Sequence, residues 1–545
     1  MSEGYKMTTA ARYFVGIDVG TGSARAGVFN ADGHMLASAK RDIAIFHETG
    51  NIVEQSGNNI WNAICASVRE AVEASGVLPS SVVGIGVDAT CSLVVVGKNG
   101  KPLAVGPSED HERNIIVWMD HRAAEQARRI TRMGHDVLRY VGGTISPEME
   151  TPKLLWLKEN RPETFDAAEY FFDLADYITW RASGSLARSS CTVTCKWTYL
   201  AHEHRWDPTY FRAIGLDALA DEGFARIGTE VVSPGTRIGG LTEEAADQLG
   251  LPAGTAVGSG LIDAHAGGVG TVGALGTLEE NMAYVFGTSS CTMTTTQSPA
   301  FVPGVWGPYF DAMVPGFWLN EGGQSAAGAA IDRLVSLHPA SGEASKRAAE
   351  LGLPLLSYLS QLAIGQSASA SDAIGLADGV HVVPEFLGNR APLADPDTRA
   401  VIAGLGMDQS EASLVALYVA GLSGIGYGLR QIIEIQEKHG APIKRIVISG
   451  GAGQDNLVRQ ILADTSGVPV VVTEAKEPVL LGSAILASMA AGHFPDLTTA
   501  MSKMTRAAAA FEPNDSVRQV HEKRFAVFVN LQAIARSPEA RHSAT

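Results

Sequence analysis

Tyr13-Phe14-Val15-Gly16-Ile17-Asp18-Val19-Gly20-Thr21-Gly22-Ser23-Ala24-Arg25 is the stretch whose reading decides the fold. Tyr13–Val19 is an apolar run and reads as a buried strand. Ala26–Asn30 follows as a second strand, and Ala31-Asp32-Gly33 turns the chain into a third, His34–Ile43. Between the first two strands, glycines bring bare backbone within reach of a bulky anion, because no Cβ stands in the way. Thr21 and Ser23 add hydroxyl donors. Asp18 closes a buried strand, where a carboxylate can hold Mg²⁺ directly or through water. The turn reads as a phosphate cradle or as a tight hairpin. It is no Walker loop, since no Gly-Lys-[Ser/Thr] follows at the required spacing. It is no dinucleotide fingerprint either, since a strand and not a helix follows it.

Outward from this turn the chain alternates. A helix is expected over Ile60–Glu73 and a buried strand over Val82–Asp88. Ser92–Lys98 is expected to pair through Asn99-Gly100 with Pro102–Val105. Trp156–Glu159 and Ala175–Ala182 look helical. The pattern predicts an α/β domain with a mixed sheet. A second β-rich stretch begins near Asn281: Ala283–Phe286, the turn Gly287-Thr288-Ser289-Ser290, then Cys291–Thr296. Leu414–His439 reads as a long helix, Ile443–Ser449 as a strand, Asn456–Thr465 as a helix, Val468–Thr473 as a strand and Val479–Met489 as a small-residue helix. The theme of strand, Gly-Thr turn and strand thus occurs twice. That repeat predicts two similar domains facing each other over a cleft, with a boundary near 260–280 and a crossover over Gly258–Gly276. Ser336–Ala377 reads as a helical insertion, and the tail after Ser537 as frayed.

Composition narrows the classes. Of 545 residues, 46% are hydrophobic and 18% charged, as in globular proteins and unlike disordered or coiled-coil chains. Lys+Arg number 42 against 58 Asp+Glu, a formal charge of −16. Nucleic acid and anionic membranes want a basic footprint, so neither is an expected partner. The five cysteines (Cys65, Cys91, Cys191, Cys195 and Cys291) form no disulfide framework. Cys191 and Cys195 sit four apart with no second pair and no nearby His, so buried thiols are expected rather than zinc. No signal pattern opens the chain, and no apolar run reaches the length of a membrane helix. A cytoplasmic location is expected.

Four further motifs carry chemistry. Gly287-Thr288-Ser289-Ser290 repeats the donors of the first turn, and two such turns could grip a polyphosphate from both sides. Gly258-Ser259-Gly260-Leu261-Ile262-Asp263-Ala264-His265-Ala266-Gly267-Gly268 sets one carboxylate among small residues. Asp263 there is either a general base or a helix N-cap; His265 reads as a packing residue. Ser449-Gly450-Gly451-Ala452-Gly453-Gln454-Asp455-Asn456 lets a flat base and ribose approach bare backbone, or is a plain strand-to-helix loop. Asp88–Ser92, Trp118–Arg122, Lys196 and Glu321 are polar residues of the kind that hold polyols, though each fits a structural role as well.

These motifs, in this order, resemble the FGGY carbohydrate kinase family. The resemblance runs from about Tyr13 to about Gly492. It is carried by DVGTGSARAG, WMDHRA at Trp118–Ala123, PKLLWLKEN at Pro152–Asn160 and LIDAHAGG at Leu261–Gly268. FGTSSC at Phe286–Cys291, NEGGQSAAG at Asn320–Gly328, GNRAPLADPDTR at Gly388–Arg399 and ISGGAGQDNLVRQILAD at Ile448–Asp464 complete it. Within the family the chain is most similar to the ribulokinase-type branch, and to the D-ribulokinases in particular. Its visible departure is Glu150, where many relatives carry Ser or Pro.

The resemblance implies an α/β fold of two ribonuclease H-like (actin/hexokinase-type) domains, with mixed β-sheets flanked by helices and an active-site cleft between them. It implies a sugar-binding domain over 12–268, a nucleotide-binding domain over 269–495 and a helical tail over 496–545. It implies ATP-dependent phosphorylation of a ketopentose, D-ribulose to D-ribulose 5-phosphate, with ATP and Mg²⁺. Asp263 would be the base, and Ala89, Trp118, Asp120, Arg122, Lys196, Asp263 and Glu321 would surround the sugar. Gly20, Thr21, Gly22, Ser23 and Arg25, with Gly287, Thr288 and Ser289, would hold phosphates. Gly450, Gly451 and Asn456 would border adenosine, and Asp18 and Asp263 would serve the metal. A kinase for L-ribulose, xylulose or ribitol, a non-catalytic sugar or nucleotide sensor, and an ATP-driven chaperone or filament are the alternatives. A homodimer is left open.

Overall fold

The computed structural model describes residues 12–537. The tail after Ser537 lies outside the described residues. The strand Tyr13–Val19 forms over the expected residues, and the hairpin that follows it runs Ser23–Asn30 and Met35–Asp42. Val82–Ala89 lies parallel to Tyr13–Val19 on its other side. The resulting sheet runs Arg237–Gly240, Ala256–Gly258, Val82–Ala89, Tyr13–Val19, Ser23–Asn30, Met35–Asp42, with the short strand Leu261–Ile262 also on Val82–Ala89. Helices Gly57–Ser75, Leu174–Ser183 and Glu243–Leu249 bury their apolar faces with it in one core.

Against this sheet lies the helix Pro478–Ala490, and glycine explains how close it comes. A Cβ on Gly16, Gly84 or Gly86 would meet the helix backbone at Leu480, Ala487 or Ser483, at 2.2, 2.4 and 2.0 Å. The helix Asp263–Val272 reaches the same helix through Gly270 and Gly482 in the same way. The run of small residues in 478–490 therefore serves backbone-to-backbone contact. Residues 475–506 accordingly group with 1–276 and with 309–319 in one compact unit. Gly258–Gly276, expected as a crossover, is instead two short strands and a buried helix of this unit.

The second unit comprises 277–308, 320–474 and 507–545. Its sheet order is Trp306–Phe310, Trp318–Gln324, Ser290–Thr296, Asn281–Phe286, Arg445–Ser449, Val470–Thr473, Ala507–Phe511. The expected helical tail over 496–545 is thereby corrected. Ala507–Phe511 is an edge strand of this sheet. Asp515–Ala535 is a helix of the same unit, where Arg524 donates to the carbonyls of Ala377 and Val380 and Gln532 to Glu385. Ser336–Ala377 is helical, as expected.

Glu411–Lys438 is long and apolar enough to cross a membrane by length and composition, contrary to the expectation that no segment reaches that length. Yet 83% of its most apolar window is buried, and its side chains form the middle of the second core. The expected pairing of Ser92–Lys98 with Pro102–Val105 shrinks to one bridge, Val96 to Pro102. Proline has no N–H to continue the ladder. Leu93–Gly97 is flanked instead by Ile115–Ile116 and Ala168–Asp173.

Candidate active site

Strand register assembles the first unit's site. Tyr13–Val19, Val82–Ala89 and Leu261–Ile262 run parallel and end together. Asp18 lies beside Asp88, Asp88 beside Leu261, and Ala89 beside Ile262. The next residue, Asp263, begins the helix Asp263–Val272, where Oδ1 accepts the N–H of Ala264 at 2.8 Å. Asp263 is thus the first residue of the helix and not its N-cap, which is Ile262, so the N-cap reading is corrected by one residue. A carboxylate at a helix N-terminus is favoured by the helix dipole.

Three carboxylates share this edge, and burial makes them costly. Burial and the nearby Asp263 raise the Asp18 carboxyl to about 6, although Arg25 opposes the shift. Asp88 is pushed well above the usual carboxylate range by burial and then by Asp18, against a 2.6 Å hydrogen bond from Ser483. Arg25 pairs with Asp18, and with Glu477 at 2.8 Å. Neither Ser483 nor Glu477 was singled out from sequence. They stand 395 and 452 residues from their partners, so no local pattern could reveal them.

The first glycine turn sits at the same strand ends. Gly20 N–H donates to the Ser23 carbonyl at 3.0 Å, and Thr90 N–H to the Val19 carbonyl at 2.9 Å. Nothing stands within 4 Å of a Cβ placed on Gly22. A groove lined by Gly20, Thr21, Gly22, Ser23, Arg25 and Lys40 opens here. Trp118 reaches this turn: its indole N–H donates to Thr21 Oγ1 at 3.0 Å.

Asp120 and Arg122, expected beside the sugar, are held within the protein by a set of buried hydrogen bonds. Both side chains are buried. Asp120 accepts from Arg122 and from Val53 N–H; Arg122 also donates to Glu54 and to the Val105 carbonyl. They lock the Ile52–Gln55 strand to the Trp118 loop, a structural task. Ala89 is fully buried at its strand end, and Lys196 is nearly so in the last turn of the helix Ser190–Trp197.

A second charged group surrounds the thiol of Cys91, which feels Lys196, Asp173, Lys153 and Glu150. Glu150 is fully buried 3.4 Å from Lys153, and burial raises its carboxyl to about 7 against the pull of Lys153 and Lys196. Glu150 thus lies in the electrostatic surroundings of Lys196. His265 is buried with its Nδ1 3.1 Å from Cys191 Sγ, so the fold supplies the histidine that sequence spacing did not show near Cys191. Among the described residues, no group of three His, Cys, Asp or Glu side chains is arranged to hold a metal.

The second unit carries the other turn. Gly287 N–H donates to the Ser289 carbonyl at 2.9 Å. The start of the helix Gly328–Ser336 closes on the turn: Gly328 N–H donates to Gly287, and Ala327 and Ala329 N–H to Thr288. Thr288 is exposed. Gln324 organises the base of the turn, accepting from Tyr284 and Ser290 and donating to the Ile425 carbonyl. Sequence reading had quoted Gln324 without giving it a role.

Gly450 has φ +91°, and a Cβ there would stand 2.5 Å from the Phe286 carbonyl oxygen, so this position requires glycine. A Cβ on Gly451 would meet nothing within 4 Å. Asn456 is exposed at the start of the helix Asn456–Ser466, which Asp455 caps by accepting from Leu457 and Val458 N–H. Glu321 is buried 3.6 Å from Cys291 Sγ. Gly287–Ser289, Gly450, Gly451, Asn456 and Glu321 thus belong to the second unit. Gly20–Ser23, Asp18, Arg25, Ala89, Trp118, Lys196 and Asp263 belong to the first.

The structure thus holds two mixed sheets, each with a glycine turn after a leading strand, and carboxylates converge at the strand ends of the first. The chain matches the N-terminal domain of the FGGY family of carbohydrate kinases over residues 13–270 and its C-terminal domain over 282–491. It belongs to that family. It is 43% identical over 531 residues to an FGGY carbohydrate kinase domain-containing protein of Danio rerio, covering 95% of this chain and 97% of that one. It is 40% identical over 522 residues to a D-ribulokinase of Saccharomyces cerevisiae, covering 89% of this chain and 72% of that protein. Its fold matches a crystal structure of a gluconate kinase from Lactobacillus acidophilus with a TM-score of 0.79 at 20% identity, covering 97% and 99% of the two chains.

Proposed function

We propose that this carbohydrate kinase transfers the γ-phosphoryl group of ATP to the terminal hydroxyl of a ketopentose, D-ribulose in the first instance, with Asp263 as general base. The observation that carries the reaction is the register of three parallel strands, which gathers Asp18, Asp88 and Asp263 beside the Gly20–Ser23 turn. The similarity to the yeast D-ribulokinase supports the choice of sugar.

Phosphoryl transfer asks for positioning, charge neutralisation and a proton acceptor more than for covalent help. Asp263 is half-buried at a helix start and accepts the proton of the attacking hydroxyl as the new P–O bond forms. Lys196 orients the sugar. N–H groups and hydroxyls of the Gly20–Ser23 and Gly287–Ser289 turns bind phosphate oxygens, and Gly450, Gly451 and Asn456 border the adenosine. Asp18 and Asp263 stand at this edge beside one arginine, and Asp88 Oδ1 is buried without a hydrogen-bond partner. These residues fit a cation brought by the nucleotide, with Asp18 and Asp263 as the groups that would meet it. Mg²⁺ there supplies charge neutralisation for the transferring group, and it needs only one or two carboxylates because phosphates and water complete its shell.

The test is ADP release with Mg·ATP over D-ribulose, L-ribulose, D-xylulose, L-xylulose, ribitol, D-arabinitol and glycerol. A preference for D-ribulose that disappears in Asp263→Ala is the expected result. Preference for another sugar would keep the mechanism and replace the substrate. Nucleotide binding without sugar-stimulated turnover would overturn the kinase reading in favour of a sensor.

A further inference from the structure

We propose that Cys191 and His265 form a positioning couple that fastens the start of the Asp263 helix to the start of the Lys196 helix. The inference rests on the reading of Asp263 as the base. Both side chains are fully buried and neither takes part in the chemistry above.

Three bonds tie the two helix starts together. Cys191 Sγ lies 3.1 Å from His265 Nδ1, two residues into the Asp263 helix. The same sulfur accepts the N–H of Ile262, the residue before Asp263, at 3.4 Å. Ser189 Oγ, which caps the Lys196 helix by accepting from Cys191 N–H at 3.2 Å, donates to the Gly260 carbonyl at 2.7 Å. The Lys196 helix is anchored in turn from the strand-to-helix corner behind it. Asp176 accepts from Ser189 N–H at 2.9 Å and from Thr192 Oγ1 at 2.7 Å.

Asp263 therefore follows a peptide whose N–H is held by sulfur, and precedes by two residues an imidazole held by the same sulfur. Without the sulfur, the Ile262 N–H and His265 Nδ1 lose that buried contact, and losing a hydrogen bond in a dry site favours rearrangement of the helix start. A shift of the base by about an ångström is enough to lower turnover by one to two orders of magnitude. Sulfur suits the place: it is large and polarisable enough to meet the Ile262 N–H and the His265 imidazole from different directions in a dry site.

The experiment compares Cys191→Ala and His265→Ala with the conservative Cys191→Ser and His265→Asn, each as the full chain. In the Ala variants kcat is expected to fall about tenfold or more while the sugar KM moves less than about threefold. Ser and Asn, which restore a polar partner, are expected to recover most of the loss. Wild-type kcat in both Ala variants would overturn the proposal, as would an equal loss in the conservative pair. Should Cys191→Ala not fold, Cys191→Val keeps the volume without the polar contacts.

Amide hydrogen exchange over Ile262–Ala264, measured without substrate, gives an answer independent of activity. Faster exchange in the Ala variants supports the couple; unchanged exchange refutes it even if every variant is inactive. Absence of kinase activity in the wild type, with faster exchange in the variants, would sink the base assignment and leave the couple standing.

Discussion

The two sheets share a plan and differ in what their strand ends carry. In each, a leading strand pairs antiparallel with the strand after the glycine turn and parallel with a strand from much later in the chain: Tyr13–Val19 with Val82–Ala89, and Asn281–Phe286 with Arg445–Ser449. A further parallel strand and an antiparallel edge strand complete both. At the first pair of ends stand Asp18 and Asp88. At the second, Val285 pairs with Ser449, with glycine next at Gly450. One scaffold thus ends in carboxylates, the groups proposed above for proton and cation chemistry, and its counterpart ends in bare backbone and hydroxyls, the groups proposed for an anion. The difference lies in a few residues at equivalent register, which is how one architecture supports two tasks.

The sharpest way to break this comparison is at Asp263. Asp263→Ala is expected to lower kcat about a thousandfold with a much smaller change in sugar affinity, read by coupled ADP release and calorimetry. Survival of turnover within about tenfold would remove the base from the carboxylate side.

Next in size is Gly450→Ala. Its φ of +91° and the 2.5 Å approach to the Phe286 carbonyl are expected to cost about 2 kcal/mol or more in stability, seen in denaturant unfolding, and to weaken nucleotide binding. Equal stability of the variant would show that backbone approach does not define the second site.

A smaller effect separates the two turns. Thr288 is exposed and Thr21 carries the indole of Trp118. Thr288→Ala is expected to raise the ATP KM about tenfold and leave the sugar KM alone. Thr21→Ala is expected to raise both. Identical profiles would mean that the turns are not distinguished by their neighbours.

The smallest effect is a stability change with pH. The Asp88 carboxyl is held above its ordinary value by burial and by Asp18. Below that ordinary value folded and unfolded chains are both protonated and the penalty vanishes; as pH rises through the raised value, the folded state must bury the charge and stability is lost. Asp18, raised to about 6 from 3.8, adds to the loss between about pH 4 and pH 6. Asp88→Asn is therefore expected to melt higher than wild type at neutral pH, with the gap closing as pH falls. A gap that widened in acid would reverse the sign of the argument.

Much of this molecule was legible in order of sequence. The strand Tyr13–Val19, its return, the second turn and the Asn456 helix are local patterns, set by apolar runs and by glycine. What stayed hidden came from distant residues. Pro102–Val105 looked like a strand, but Pro102 cannot continue a ladder and both sides of Leu93–Gly97 were taken. The partners of Asp120 and Arg122, Val53 and Glu54, stand 67 and 68 residues away in the chain, so no local pattern showed them. The segment 478–490 looked like part of the second domain, yet it lies on the first sheet because Gly16, Gly84 and Gly86 admit its backbone.

By itself the sequence determined where glycine turns interrupt buried strands, that Asp18 and the two Gly-Thr motifs sit at such ends, and that Asp263 stands on a Gly-rich turn. It could do so because burial period and turn chemistry act over a few residues. Only the tertiary structure decided which carboxylates meet. Asp18, Asp88 and Asp263 share one edge because parallel pairing joins strands far apart in the chain, and no local propensity encodes the register of such pairs.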